Sequence, residues 1–221
     1  MRAWIFMLLA VLGLTACSAP SQNDVASQET VARSVYKHNG PTRLTLFTMI
    51  GNTNGEGAHT SLLVNGSQRV AFDPAGSFRN EHIVSRHDVV YGMTPYMVDV
   101  YTRFHARKSY HVVVQKLDVS PEVAELALQK VLAYGPVAQA YCANSTSDVL
   151  NDLPGFEHIK QTFYPKNLMS QFADMGASYE RLVEYDDDDK SKVLANFVPE
   201  YMVGKEDKLA RKANASVSTS E

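Results

Sequence analysis

Cysteine is scarce in this chain: 221 residues hold two, Cys17 and Cys142. A disulfide-stapled miniprotein and a four-cysteine zinc module are both excluded. Excess positive charge is lacking too. Twenty-one basic against 24 acidic residues give a net charge of −3, so no bulk field exists to hold nucleic acid. No segment approaches the roughly 20 apolar residues of a membrane-spanning helix. There is no G-x-S-x-G, no Walker A motif, no G-x-G-x-x-G after a strand and no internal repeat. What is present is ordinary: 45% hydrophobic, 20% charged and 10% aromatic residues, enough to close the core of one domain.

The chain opens MRAWIFMLLAVLGLTAC. Arg2 and the apolar run from Trp4 to Leu14 have the charge and length of a signal peptide, too short to cross a bilayer as a helix. Leu14-Thr15-Ala16-Cys17 resembles the bacterial lipobox. That resemblance implies cleavage after residue 16, lipidation of Cys17 and attachment to the cell envelope. Ser18, where Asp would imply inner-membrane retention, points to the outer membrane, facing the periplasm. The expected organisation is a signal peptide over 1–16, a lipidated Cys17 and polar tether over 17–40, one domain over 41–203 and a polar, disordered tail over 204–221.

Within the domain, Arg43–Ile50, His59–Val64, Arg69–Asp73 and Tyr110–Gln115 read as strands, the middle two joined by Asn65-Gly66. A three-residue loop pairs His59 with Asp73; a two-residue loop pairs it with Phe72. Ser120-Pro121 supplies an N-cap and first-turn proline for a helix reaching Ala133, which Gly135-Pro136 ends. A second helix begins near Cys142, with Thr146, Val149, Leu150 and Leu153 on one face and Pro154-Gly155 after it. The expected class is α+β, an antiparallel sheet with packed helices.

Once Cys17 is set aside, Cys142 is a lone thiol in an oxidising compartment. A small buried hydrophobe is one reading. The other is a nucleophile, since a helix N-terminus stabilises a thiolate. A nucleophile needs a base. His59, opening a strand after the loop GNTNGEG, is placed to sit at a sheet end, and Asp73 to hold its ring; Asp73-Pro74-Ala75-Gly76 also reads as a turn.

A His opening a strand (AHTSLLV), a polar residue on the next strand (VAFDPAG), a helix and then a Cys at a helix start (YCANSTSDVL) resemble the circularly permuted papain-like hydrolases. These are the lecithin:retinol acyltransferase-like branch of the NlpC-type superfamily, and the likeness spans about Thr42 to Leu153. It implies a permuted papain-like fold with Cys142 as nucleophile, His59 as base and Asp73 as orienter. Backbone N–H groups at Cys142 and Ala143 would serve the oxyanion. Tyr141 and Tyr134 are candidates for the tyrosine that such enzymes place there. The implied chemistry is acyl transfer on a cell-wall amide. Lipid amidase, acyltransferase or thioesterase activity is the alternative, and a binding lipoprotein without catalysis a further one. No cofactor is implied.

The remaining signals are weaker. Asp186–Asp189 lacks the spacing of a calcium loop. His82 with His87, and His105 with His111, fit no zinc motif, so no metal site is expected. Arg103, His105, Arg107 and Lys108 read as a solvated strand or loop edge.

Overall fold

The structure is a computed structural model and describes residues 25–182 and 190–198. The signal peptide, Cys17, Asp186–Asp189 and the tail from 204 lie outside the described residues.

Strand β1 (Arg43–Gly51) is apolar on both faces and buried from Leu44 onward, the signature of a strand covered on both sides. It lies between β2 (Gly57–Asn65) and β6 (Tyr110–Asp118). With β3 (Arg69–Phe72), β4 (Ser85–Arg86), β5 (Val89–Val90) and β7 (Ser178–Leu182), they form a seven-stranded sheet ordered β4-β5-β3-β2-β1-β6-β7, antiparallel throughout. The class is mixed α+β.

Side-chain alternation gives each sheet face its own layer. Leu44, Leu46, Leu62, Val64 and Phe72 point to one face, against α3 (Pro121–Ala133), α4 (Cys142–Asn151) and α5 (Pro165–Ala173). Phe47, Met49, Leu63, Ala71 and Val114 point to the other, against α2 (Pro95–His105) and α6 (Lys190–Ala195). Helix α3 starts as its sequence dictates, with Ser120 Oγ accepting from Val123 N–H at 3.3 Å and Pro121 in the first turn. The segment before the sheet carries α1 (Gln28–Arg33), and Tyr36 O accepts from Arg69 N–H at 2.7 Å.

Two expectations are corrected. Neither hairpin register holds: Asn65 pairs with Arg69, Val64 with Val70 and Leu62 with Phe72. Asn65 is not a turn residue, because its side-chain amide donates to Pro41 O at 2.7 Å and holds it in the strand. The loop shifts to residues 66–68, closed by Gly66 N–H to Gln68 O at 3.1 Å. The basic cluster is a solvated edge only at Arg103 and Lys108, which are exposed. Arg103 and His105 belong to α2, and His105 is buried with Phe104 against the sheet.

Candidate active site

Strand β3 stops at Phe72, opposite Leu62, while β2 continues back through His59. That mismatch leaves a notch at one end of the sheet. Within β2, Met49 pairs with His59 but Ile50 pairs with Gly57, so Ala58 is an extra residue beside His59. A bulge of this kind re-aims the neighbouring side chain. His59 shares a face with Ser61 and Leu63, the α2 face. Helix α4 packs on the opposite face, and its first residue, Cys142, reaches the notch from that side. Thiol and imidazole therefore meet around the end of the sheet, the thiol from a helix on one face and the imidazole from a strand residue on the side of the other.

The histidine and the carboxylate are directly hydrogen-bonded. His59 Nε2 donates to Asp73 Oδ1 at 2.7 Å, which leaves Nδ1 for the Cys142 thiol, whose interaction with the same ring shifts both groups. Asp73-Pro74-Ala75-Gly76 does make a turn, with Gly76 N–H on Asp73 O at 2.9 Å. The carboxylate is free of that turn and 4% exposed. Tyr101 Oη stands 2.8 Å from Asp73 Oδ1 and 2.6 Å from Ser61 Oγ. His105 stacks on His59 with ring centres 6.0 Å apart, and its Nδ1 lies 2.8 Å from Tyr101 O. The tautomer that satisfies that carbonyl carries hydrogen on Nδ1 and a lone pair on Nε2.

Burial opposes every charge here, and hydrogen bonding decides the outcome. It disfavours charge on His59, yet the bonds to Asp73 and Cys142 push the imidazole up to about 10. Burial also acts to raise the Asp73 carboxyl, but the His59 hydrogen bond and charge hold it below the usual carboxylate range. The Cys142 thiol is lowered in the same way. Burial resists, while His59 and the N–H groups of Thr60 and Ala143 stabilise the anion. His105, fully enclosed, falls to about 4 and stays neutral. Burial and the Asp73 charge hold the Tyr101 phenol well above its ordinary value.

The arrangement favours a thiolate beside an imidazolium whose Nε2 is pinned by a carboxylate. Such a pair supplies a nucleophile and then a proton donor for a leaving group. Tyr141, the first flanking residue, makes no side-chain cap, and Ala140 before it has a positive φ of 68°. A cleft of 270 Å³ opens over His59 and His105, bordered by Met49, Ala58, Arg107 and Gln139. A larger cavity of 500 Å³ lies under α2, lined by Thr45, Leu63 and Asn65. Its lining on β2 begins at Leu63, four residues or about 13 Å along the strand from His59, and Arg43 and Lys116 on its rim are ion-paired with Asp118 and Glu180.

Of the residues singled out from sequence, Cys142, His59 and Asp73 come together, and the Ala143 N–H helps to lower the thiol. The two tyrosines do not join them. Tyr141 is half-exposed with its ring against Phe163, and the Tyr134 hydroxyl meets Asp148 at 3.1 Å. Sequence reasoning missed Tyr101, Ser61 and Gly76, and weighed His105 only beside His111 and within the basic cluster. For α2 a signal existed: Thr94-Pro95 is a helix start, and Met97, Val100, Tyr101 and Phe104 recur at helical spacing. Gly76 had none. A Cβ there would stand 1.8 Å from Asp73 Oδ2, so the carboxylate occupies the space a side chain would fill.

No protein-family model matches the chain, and neither a curated protein nor a solved structure does.

Proposed function

We propose that the protein is a lipid-anchored envelope cysteine hydrolase. In this reading Cys142 attacks an amide carbonyl, an acyl-enzyme forms, and water releases it. The observation that carries the reading is the hydrogen-bonded series His59, Asp73 and Tyr101 at the end of the sheet, with the Cys142 thiol lowered by the same His59. A buried structural cysteine needs no such company. The thiolate gains from the first turn of α4, where no side chain caps the helix. As the C–N bond breaks, the His59 imidazolium returns its proton from Nδ1 to the leaving amine. Asp73 keeps the ring in orientation and stabilises its charge. The notch is consistent with a permuted papain-like fold, in which the histidine strand precedes the cysteine helix.

Cell-wall peptide amides are the proposed substrates, acyl-lipid amides or thioesters the alternative. Attachment through a lipidated Cys17 at the outer membrane, facing the periplasm, belongs to the same proposal. The test is alkylation of Cys142 by a small electrophile at neutral pH, with a chelator present. The wild type should react much faster than the unfolded chain, and His59→Ala should slow it at least tenfold. Labelling no faster than that of the unfolded thiol sinks the hydrolase reading. Peptidoglycan fragments set against acyl-lipid substrates, with Cys142→Ala as control, then assign the substrate class.

A further inference from the structure

Three side chains at the notch have a second chemistry. His59, Asp73 and His105 each offer one ligand atom, and these atoms all lie within 4.8 Å of one another. Ligand atoms of a tetrahedral zinc stand about 3.4 Å apart, so small side-chain movements close the set. Two bonds already orient it. Nδ1 of His105 is engaged with Tyr101 O, which turns the Nε2 lone pair away from that carbonyl. Asp73 is held by the Tyr101 hydroxyl. Ligating histidines and carboxylates are held by this kind of outer partner. The 270 Å³ cleft is lined by both histidines and gives a hydrated ion its path in. His105 finds its metal partners on β2 and after β3, far from the His111 that stands near it in sequence.

We infer that His59, Asp73 and His105 form a binding site for a zinc-class divalent cation, sharing two members with the proposed catalytic group and excluding the thiol. Two imidazoles and one carboxylate are ligands that zinc accepts, with a fourth position left for water. Binding and proton transfer are mutually exclusive. With the cation on His59 Nε2, the one ring hydrogen sits on Nδ1, where it blocks acceptance of the thiol proton. Giving it up would leave an imidazolate. The cation is thus an off-switch for the hydrolase. That consequence rests on the hydrolase reading; the binding site itself does not.

The experiment is titration of the untagged full-length chain in detergent with Zn²⁺, followed by calorimetry and X-ray absorption at the zinc edge. One saturable site is expected, with nitrogen and oxygen neighbours at about 2.0–2.2 Å and no sulfur at about 2.3 Å. Cys142→Ala should retain the affinity within about threefold. His105→Gln should weaken it roughly 100-fold, since loss of even an outer partner costs about 10–100-fold. Circular dichroism checks that this variant folds, and Asp73→Asn provides a second test of the same site. Absence of saturable binding, a zinc–sulfur shell, loss of binding in Cys142→Ala, or undiminished binding in folded His105→Gln each overturns the site. Any turnover found on peptidoglycan or acyl-lipid substrates should fall at least tenfold with saturating Zn²⁺ and return with a chelator. Turnover that persists under saturating zinc overturns the switch. A chain that binds zinc in this pattern but lacks a reactive thiol supports the site and refutes only the hydrolase reading.

Discussion

At the scale of residues, Asp73 carries more of the site than its turn-like sequence suggests. One carboxylate oxygen accepts from both His59 and Tyr101. Asp73→Asn keeps the shape but changes what His59 Nε2 faces, so turnover should drop roughly 10²–10⁴-fold, the range seen when a triad's orienting carboxylate is lost. Gly76→Ala should do similar harm by a steric route, because the new methyl lands on the Asp73 carboxylate, itself locked by two hydrogen bonds. A loss of about 1–3 kcal/mol in denaturant unfolding, as for overpacked cores, should accompany slower Cys142 alkylation. His105 sets a pH dependence. Its folded pKa of about 4 lies below the ordinary 6.5, so between these values the unfolded chain binds a proton that the folded chain refuses. The stability it provides is full above pH ~6.5 and is lost as pH falls toward ~4, up to about 3 kcal/mol. His59 runs the other way: its contribution is full below pH ~6.5 and is lost as pH rises through about 10. Unfolding of the wild type in chelator should be most costly near neutrality, and His105→Gln should flatten the acid limb. An acid limb unchanged in that variant would refute the assignment.

At the scale of elements, α2 has the largest leverage, since it delivers both Tyr101 and His105. Its N-terminus depends on Thr94, buried, with Oγ1 accepting from Met97 N–H at 3.1 Å. Thr94→Ala should cost about 1 kcal/mol in chemical denaturation, the usual worth of an N-cap. The strands β1, β2, β3 and β6 and the helices α3 and α4 were legible because apolar periodicity, Ser120-Pro121 and Pro154-Gly155 are local signals. The two-residue strands β4 and β5 were not, being too short to show a period; tertiary pairing creates them. The hairpin register was misread for a related reason. Asn-Gly favours a tight turn, but the 24-residue reach from Asn65 to Pro41 is invisible to local rules and overrides it. Cys142 was found because it starts a helix and His59 because it lies near the start of a strand; that Asp73 joins them follows from where β3 ends and not from the cross-strand pairing first expected.

At the scale of the whole molecule, sheet and helices form three layers, and the proposed anchor precedes them by a segment that itself touches the sheet, Ala26 N–H bonding Ser85 O at 3.0 Å. If Cys17 carries the lipid, Cys17→Ala should lose palmitate incorporation and leave the membrane fraction, while Cys142 alkylation stays within about twofold of the wild type. Retention in the membrane fraction would place the anchor elsewhere.

Because the thiol sits on α4 and the imidazole on β2, with Tyr101 of α2 bonded to the Asp73 that holds the ring, the competent site depends on both helical layers being docked at once. Cys142 reactivity is therefore a built-in gauge of sub-global opening. Release of α4 from the sheet separates the pair, and release of α2 withdraws the Tyr101 bond from Asp73, so the enhanced alkylation rate should collapse at lower denaturant than the loss of helical circular dichroism. Coincident midpoints would instead describe a single cooperative unit in which the layers part together.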